Sequence, residues 1–271
     1  MTPPTTSPLP STTADAPVLL EEHPHPGVVL LRLHRPAALN ALNLQLRHAL
    51  AEAFTRLDAD PAVRVIVLAG SEKAFCAGAD LTEYRDADPL EIMARRMGLL
   101  WDAIGHCSKP VIAAVRGWAL GGGCELAMHA DILVAERGTK FGQPEVKVGI
   151  MPGGGATQRL TRAVGKFRAM NILLRGEPFS GEEALAWGLA SELAEDGQAE
   201  TRALTMAREL CELPPLALRQ VKASVLQGMN VGLDAGLAFE RTAFATLFAS
   251  EDKREGMAAR LEKRAARFQG R

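Results

Sequence analysis

The sequence predicts an α/β core followed by a helical C-terminal part. Three observations carry that expectation. Short, apolar, β-branched runs at residues 28–33, 63–69 and 110–115 read as strands. Between them stand segments whose apolar residues recur at helical spacing. From about residue 155 onward the periodic segments are helical, so strands come first and helices last.

In chain order, residues 1–17 are rich in Thr, Ser and Pro and contain no Arg. They lack the apolar centre of a secretory signal and the Arg content of a transit peptide, and are expected to be a disordered tail. The strand at 28–33 leads through Arg35-Pro36-Ala37-Ala38 into a helix over 43–59. Its apolar stripe is Leu46, Leu50, Ala53, Phe54 and Leu57. The strand at 63–69 is followed by a loop of small residues, Ala77-Gly78-Ala79-Asp80-Leu81. Asp88-Pro89-Leu90-Glu91 has the capping-box pattern and opens one helix carrying Ile92, Met93, Leu100, Trp101 and Ile104, stopped by Gly105. The strand at 110–115 turns at Gly117 and passes through Gly121-Gly122-Gly123 into a helix over 124–130, then a strand at 131–135. A second capping box at Ser180-Gly181-Glu182-Glu183 opens a helix over 184–188. Further helices are expected at 201–213, 215–229, 233–249 and 251–268. Phe239, Phe244, Leu247 and Phe248 suit packing on another subunit. The expected division is a tail at 1–17, a core at 18–200 and a helical oligomerisation region at 201–271. The spacing of the strand–helix units is too irregular to mark a solenoid.

Bulk properties narrow the function. The 271 residues carry a formal net charge of −1, which offers no basic surface to nucleic acid. No apolar run reaches the roughly 18 residues of a membrane span. The four cysteines are scattered, without the paired spacing of a zinc or redox site. With no signal peptide, a cytoplasmic location is the default expectation. The histidines form no HExxH or triad pattern, and His129 is expected to be packing or surface.

The chemistry concentrates in four places. A strand that turns through Gly121–Gly123 into a helix leaves backbone N–H groups that suit an anion or oxyanion; equally, the glycines let the helix pack closely on a strand. Neither a dinucleotide fingerprint nor a phosphate loop is present. At Ala77-Gly78-Ala79-Asp80, one reading is an N-cap by Asp80 and the other a second N–H donor aimed at the same oxygen. Glu125 and Glu145 each lie in glycine-rich surroundings. Singly, each is an ordinary surface carboxylate; converging, the two can divide general acid and general base roles.

At these residues the chain resembles the crotonase, or enoyl-CoA hydratase/isomerase, family. The resemblance rests on Arg35-Pro36 with Leu39-Asn40-Ala41-Leu42, Ala77-Gly78-Ala79-Asp80, Gly121-Gly122-Gly123-Cys124-Glu125, Phe141-Gly142-Gln143-Pro144-Glu145, Pro152-Gly153 and Thr157-Gln158-Arg159-Leu160. It implies a ββα spiral core with a C-terminal helical trimerisation region, usually a dimer of trimers. It implies a coenzyme A thioester as substrate and no metal or redox cofactor. By position, Ala79 and Gly122 would form the oxyanion hole, with Ala77, Asp80, Leu81 and Gly153 lining the substrate. Hydratases of the family carry two glutamates, whereas isomerases typically keep one. The expected reaction is therefore syn addition of water to a trans-2-enoyl-CoA, in fatty-acid or aromatic-acid degradation. Glu125 would activate the water and Glu145 protonate C2. Alternatives are a 2,3-dehydroadipyl-CoA hydratase, for which Arg85, Arg95 and Arg96 are candidate cations, and an isomerase. Where the family often has Lys, this chain has Ala37, so the CoA phosphates need other basic groups, such as Arg35.

Overall fold

A computed structural model describes residues 17–271; the expected tail lies outside these residues except for Pro17. Strands β1 (Leu19–His25) and β2 (Val28–Leu33) pair antiparallel, and helix α1 (Leu44–Ala59) follows. The chain then repeats one unit: a longer strand, a short strand, then helical structure. In the first unit β3 (Val65–Ala69) and β4 (Ala74–Cys76) precede α2 (Pro89–Ala94) and α3 (Met97–Gly105). In the next, β5 (Val111–Val115) and β6 (Trp118–Leu120) precede α4 (Gly122–Ala127). In the third, β7 (Ile132–Glu136) and β8 (Lys140–Gly142) precede a 3₁₀ turn (Glu145–Val148) and α5 (Ala156–Val164). The remaining elements are α6 (Lys166–Arg175), β9 (Phe179–Ser180), α7 (Gly181–Ala186), β10 (Glu192–Ala194), α8 (Ala199–Cys211), α9 (Pro215–Gly228), α10 (Leu233–Leu247) and α11 (Glu251–Glu262).

The longer strands form one sheet in the order β1-β2-β3-β5-β7-β10, and the short ones a second, β4-β6-β8-β9. Successive units add in parallel to both sheets, β3 to β5 to β7 and β4 to β6 to β8. This is the ββα spiral that the resemblance implied. The central strands are apolar throughout because both faces are covered. Val29, Leu31, Ile66 and Leu68 face a core containing Leu46, Leu50, Phe54 and Leu57 of α1. Val28, Leu30, Val65 and Val67 face Ala203 and Ala207 of α8. The small alanines let α8 lie directly on the sheet, in a cluster that includes Cys211.

Other expectations need correction. The helix opened by Asp88 is two helices. Arg96 sits between them at φ 46°, while Arg95 is tied to Glu91 at 2.6 Å and to the Glu83 carbonyl at 2.8 Å. The α2 end is thereby anchored to the preceding turn, and α3 packs on α1 with Trp101 stacked on His129, just past α4. The residue that takes the left-handed backbone is Arg96 itself, not the Gly98 that follows inside α3. The last helix stops at Glu262 rather than 268, because the C-terminal residues fold back: the Asp252 carboxylate accepts from the N–H groups of Gln269 and Gly270 at 2.6 and 2.8 Å.

Candidate active site

Strands β4, β6 and β8 are neighbours in the second sheet, so the segments leaving their C-terminal ends meet in space. These segments carry Ala79, Gly122 with Glu125, and Glu145.

The first is held by Asn40. Its side chain is fully buried; its amide donates to the carbonyls of Ala74 at 3.0 Å and Phe75 at 3.2 Å, and its oxygen accepts from Arg35 N–H at 2.9 Å. Residues 39–42 are thereby fixed beside β4. Leu42 N–H donates to the Gly78 carbonyl at 2.7 Å, and Asp80 N–H donates to the Leu42 carbonyl at 3.1 Å. Ala79, between those two, faces the other way, and its N–H has no partner among the described residues. Ala77 N–H is used on the Leu39 carbonyl. Asp80 caps the turn that follows through Thr82 and pairs with Arg35 at 3.0 Å. The hydrogen bond from Thr82 is the main reason its carboxyl is held below the usual range. Leu81 is half exposed beside it.

The three glycines divide their work. Gly121 takes φ 48°, a backbone that favours glycine, and a Cβ there would stand 2.8 Å from Glu145 Oε1. A Cβ on Gly123 would come within 2.0 Å of the Cys76 carbonyl oxygen, so close packing of α4 on β4 requires that glycine. Gly122 leaves its N–H without a partner among the described residues. A Cβ placed on it would lie 3.6 Å from Ala79 N, so the two free donors border one space. Both readings of the glycine run therefore hold, at different residues.

Glu125 is buried, with 3 % exposure. Its Oε1 accepts from Gly154 N–H at 2.7 Å and Ala156 N–H at 3.0 Å. A Cβ on Gly154 would stand 2.6 Å from Oε2 and 2.7 Å from the Trp101 ring, so glycine there lets the carboxylate and the indole close on each other. Burial pushes the Glu125 carboxyl up, opposed by the Ala156 and Gly154 N–H groups and by the Arg47 guanidinium. Glu145 is half-buried at the start of its 3₁₀ turn. Burial, with a further push from the Glu125 charge, raises it to about 7, against its own backbone N–H. With its amide turned to satisfy hydrogen bonding, buried Gln143 donates to Glu145 at 3.1 and 3.3 Å.

Gly153 is exposed with open space at its Cα; the N–H groups that Glu125 receives belong to Gly154 and Ala156. The glycine run 153–155 was the visible signal for that cradle. Trp101 stacks on His129 at 4.8 Å between ring centroids, and His129 Nδ1 lies 2.8 Å from the Glu125 carbonyl. Burial pushes this histidine down to about 4, which keeps it neutral near pH 7; it packs the site's wall. Among the described residues no three His, Cys, Asp or Glu side chains gather as metal ligands, and no helix is long and apolar enough to cross a membrane.

Residues 24–271 match the enoyl-CoA hydratase/isomerase family. The chain belongs to that family. Among its enoyl-CoA hydratase/isomerase relatives, a probable enoyl-CoA hydratase of Mycobacterium bovis is 42 % identical over 93 % of this chain and 97 % of its own. The 2,3-dehydroadipyl-CoA hydratase of Escherichia coli is 42 % identical over 90 % of this chain and 96 % of its own. A solved enoyl-CoA hydratase of Geobacillus kaustophilus superposes with a TM-score of 0.91 at 42 % identity, over 94 % of this chain and 98 % of that one. The family's spiral fold and the spiral described above agree.

Proposed function

We propose that the chain hydrates trans-2-enoyl-CoA thioesters, adding water syn across the double bond to give a 3-hydroxyacyl-CoA. The observation that carries this reading is the pairing of two carboxylates beside two unpartnered N–H groups. The N–H groups of Ala79 and Gly122 receive the thioester oxygen. As water attacks C3, negative charge moves onto that oxygen, where each donor is worth roughly 2.7–4 kcal/mol. Glu125, whose charge is supported by two backbone N–H groups, takes the proton of the attacking water. Glu145, raised to about 7, holds a proton near neutral pH and delivers it to C2. Proton exchange between the carboxylates and water then restores the starting state. No step requires a metal or redox cofactor; coenzyme A is part of the substrate. Isomerisation needs only one carboxylate, so the second favours hydration. Ala77, Asp80, Leu81 and Gly153 border the thioester path. Arg35 is engaged with Asp80, which leaves the CoA phosphates to other basic groups.

Loss of the enoyl-thioester absorbance of crotonyl-CoA tests the reading. The wild type hydrates it, and Glu125→Gln and Glu145→Gln each lose most turnover while still binding substrate. Full activity in either variant sinks the two-glutamate assignment. The reading includes a homotrimer, or a hexamer built as a dimer of trimers. It is supported by α9 and α10, where Val221, Val225, Leu233, Phe239 and Phe244 stay exposed in the single chain. Sedimentation equilibrium returning a monomer would remove that part.

A further inference from the structure

Arg47 stands where a charge is unexpected. It lies on α1, one turn before Leu50 and two before Phe54, inside the apolar stripe that builds the core. Its exposure is 7 %. Its Nε is buried without a hydrogen-bond partner, and among the described residues its guanidinium makes neither a hydrogen bond nor an ion pair. A buried guanidinium is ordinarily paired, because desolvating an unpaired charge costs several kcal/mol. Around it are an aromatic face and the candidate active site. Its Cζ lies 5.3 Å from the Trp101 ring centroid. Its Nη2 lies 3.6 Å from the point where a Cβ on Gly122 would stand, the same point that is 3.6 Å from Ala79 N. The Glu125 carboxylate feels its charge but accepts from Gly154 and Ala156 instead.

We infer that Arg47 is a specificity-determining residue that receives a carboxylate on the acyl chain, so that the preferred substrates are 2-enoyl-CoA thioesters whose acyl group ends in an anion. This rests on the hydratase reading above. Arg47 Nη2 and the Ala79 N border the same point beside Gly122, so a thioester oxygen held by Ala79 and Gly122 would leave the acyl chain in the space between that point and the Trp101 face that the guanidinium also borders. Trp101 and the apolar stripe exclude water, which strengthens an arginine–carboxylate pair formed there. The arginines of the 85–96 segment are poorer candidates. Arg95 Nη1 is also buried without a partner, but its Nη2 is already given to Glu91 and the Glu83 carbonyl; Arg85 pairs with Asp86 in solvent, and Arg96 is exposed at the helix break.

The test is kcat/KM for 2-hexenoyl-CoA, for its ω-carboxylate counterpart and for the corresponding ω-carboxamide, in wild type, Arg47→Leu and Arg47→Lys. Wild type is expected to prefer the carboxylate over both neutral chains by at least tenfold. Arg47→Leu should lower the carboxylate-to-methyl ratio at least roughly 30-fold, the scale of a lost buried charge pair, and Arg47→Lys should retain part of the preference. A wild type that hydrates all three equally overturns the inference and leaves the hydratase reading standing. A wild type that hydrates none sinks that reading and this inference with it. An Arg47→Leu variant that slows all three by one factor also overturns it, assigning the guanidinium to the thioester or to Glu125. If Arg47→Leu unfolds, the wild-type preference for carboxylate over carboxamide decides the matter.

Discussion

Residues 121–127 and 143–149 each bring one glutamate to the same space, and they hold it in different ways. Glu125 sits within α4, pinned against β4 by a glycine, with two backbone N–H groups on one oxygen and Trp101 near the other. Glu145 opens a single 3₁₀ turn whose remaining residues are exposed, with Gln143 as its side-chain donor. Both carboxyls are pushed up by burial. What sets Glu125 apart is the charge of a nearby arginine, Arg47, beside its two backbone donors. Two carboxylates of similar sequence context thus stand in different surroundings, which supports the proposed division of Glu125 as base and Glu145 as proton donor.

Breaking the supported side should have the largest effect. Glu125→Gln is expected to lower kcat for crotonyl-CoA on the order of 10³-fold, within the range of positioned acid–base groups, with KM little changed in steady-state assays. Glu145→Gln should lower kcat by on the order of 10²-fold or more. In wild type, hydration should fall as pH rises through about 7, where Glu145 loses its proton; the residual activity of the glutamine variant should lack that limb. A pH–rate profile that is flat through neutrality in wild type would contradict the division of roles.

Smaller effects sharpen the contrast. Gly154→Ala places a methyl between Glu125 and Trp101 and should destabilise the fold by about 1–3 kcal/mol as an overpacked site. It should also reduce kcat more than it changes KM, as read by denaturant unfolding and kinetics together. Glu145 also contributes to stability against pH. Its folded value of about 7 lies above the ordinary 4.5, so the folded state binds the proton more tightly than the unfolded chain. That contribution is fully present below about 4.5 and is lost as pH rises to about 7. Because Glu145 is only half-buried, solvent screening reduces it to about 1–2 kcal/mol. Melting curves should show a decline over that window in wild type that is weaker in Glu145→Gln.

Much of this was readable beforehand. The β-branched runs that became β2, β3 and β5 were visible because strands buried on both faces need continuous apolar residues. The edge strand β1 was not, since its Glu, His and Pro side chains suit a strand paired on one side only. The short strands β4, β6 and β8 have three residues each, too few for any periodicity. The break at Arg96 and the stop at Lys263, at φ 56°, come from side-chain and carboxylate contacts made across the fold. Arg47 did leave a mark in the sequence, as a cation on an apolar helical stripe.

By itself the sequence determined the residue types at the site and the family to which their order belongs: glycines where the backbone must approach closely, and two glutamates in glycine-rich turns. Local chemistry suffices for that, because φ freedom and side-chain volume are properties of single residues. Which N–H groups remain free, what surrounds each carboxylate and where a buried cation stands were decided only by tertiary structure. Each depends on groups that the parallel packing of β4, β6 and β8 brings together from distant parts of the chain, and burial and charge act through space rather than along the sequence.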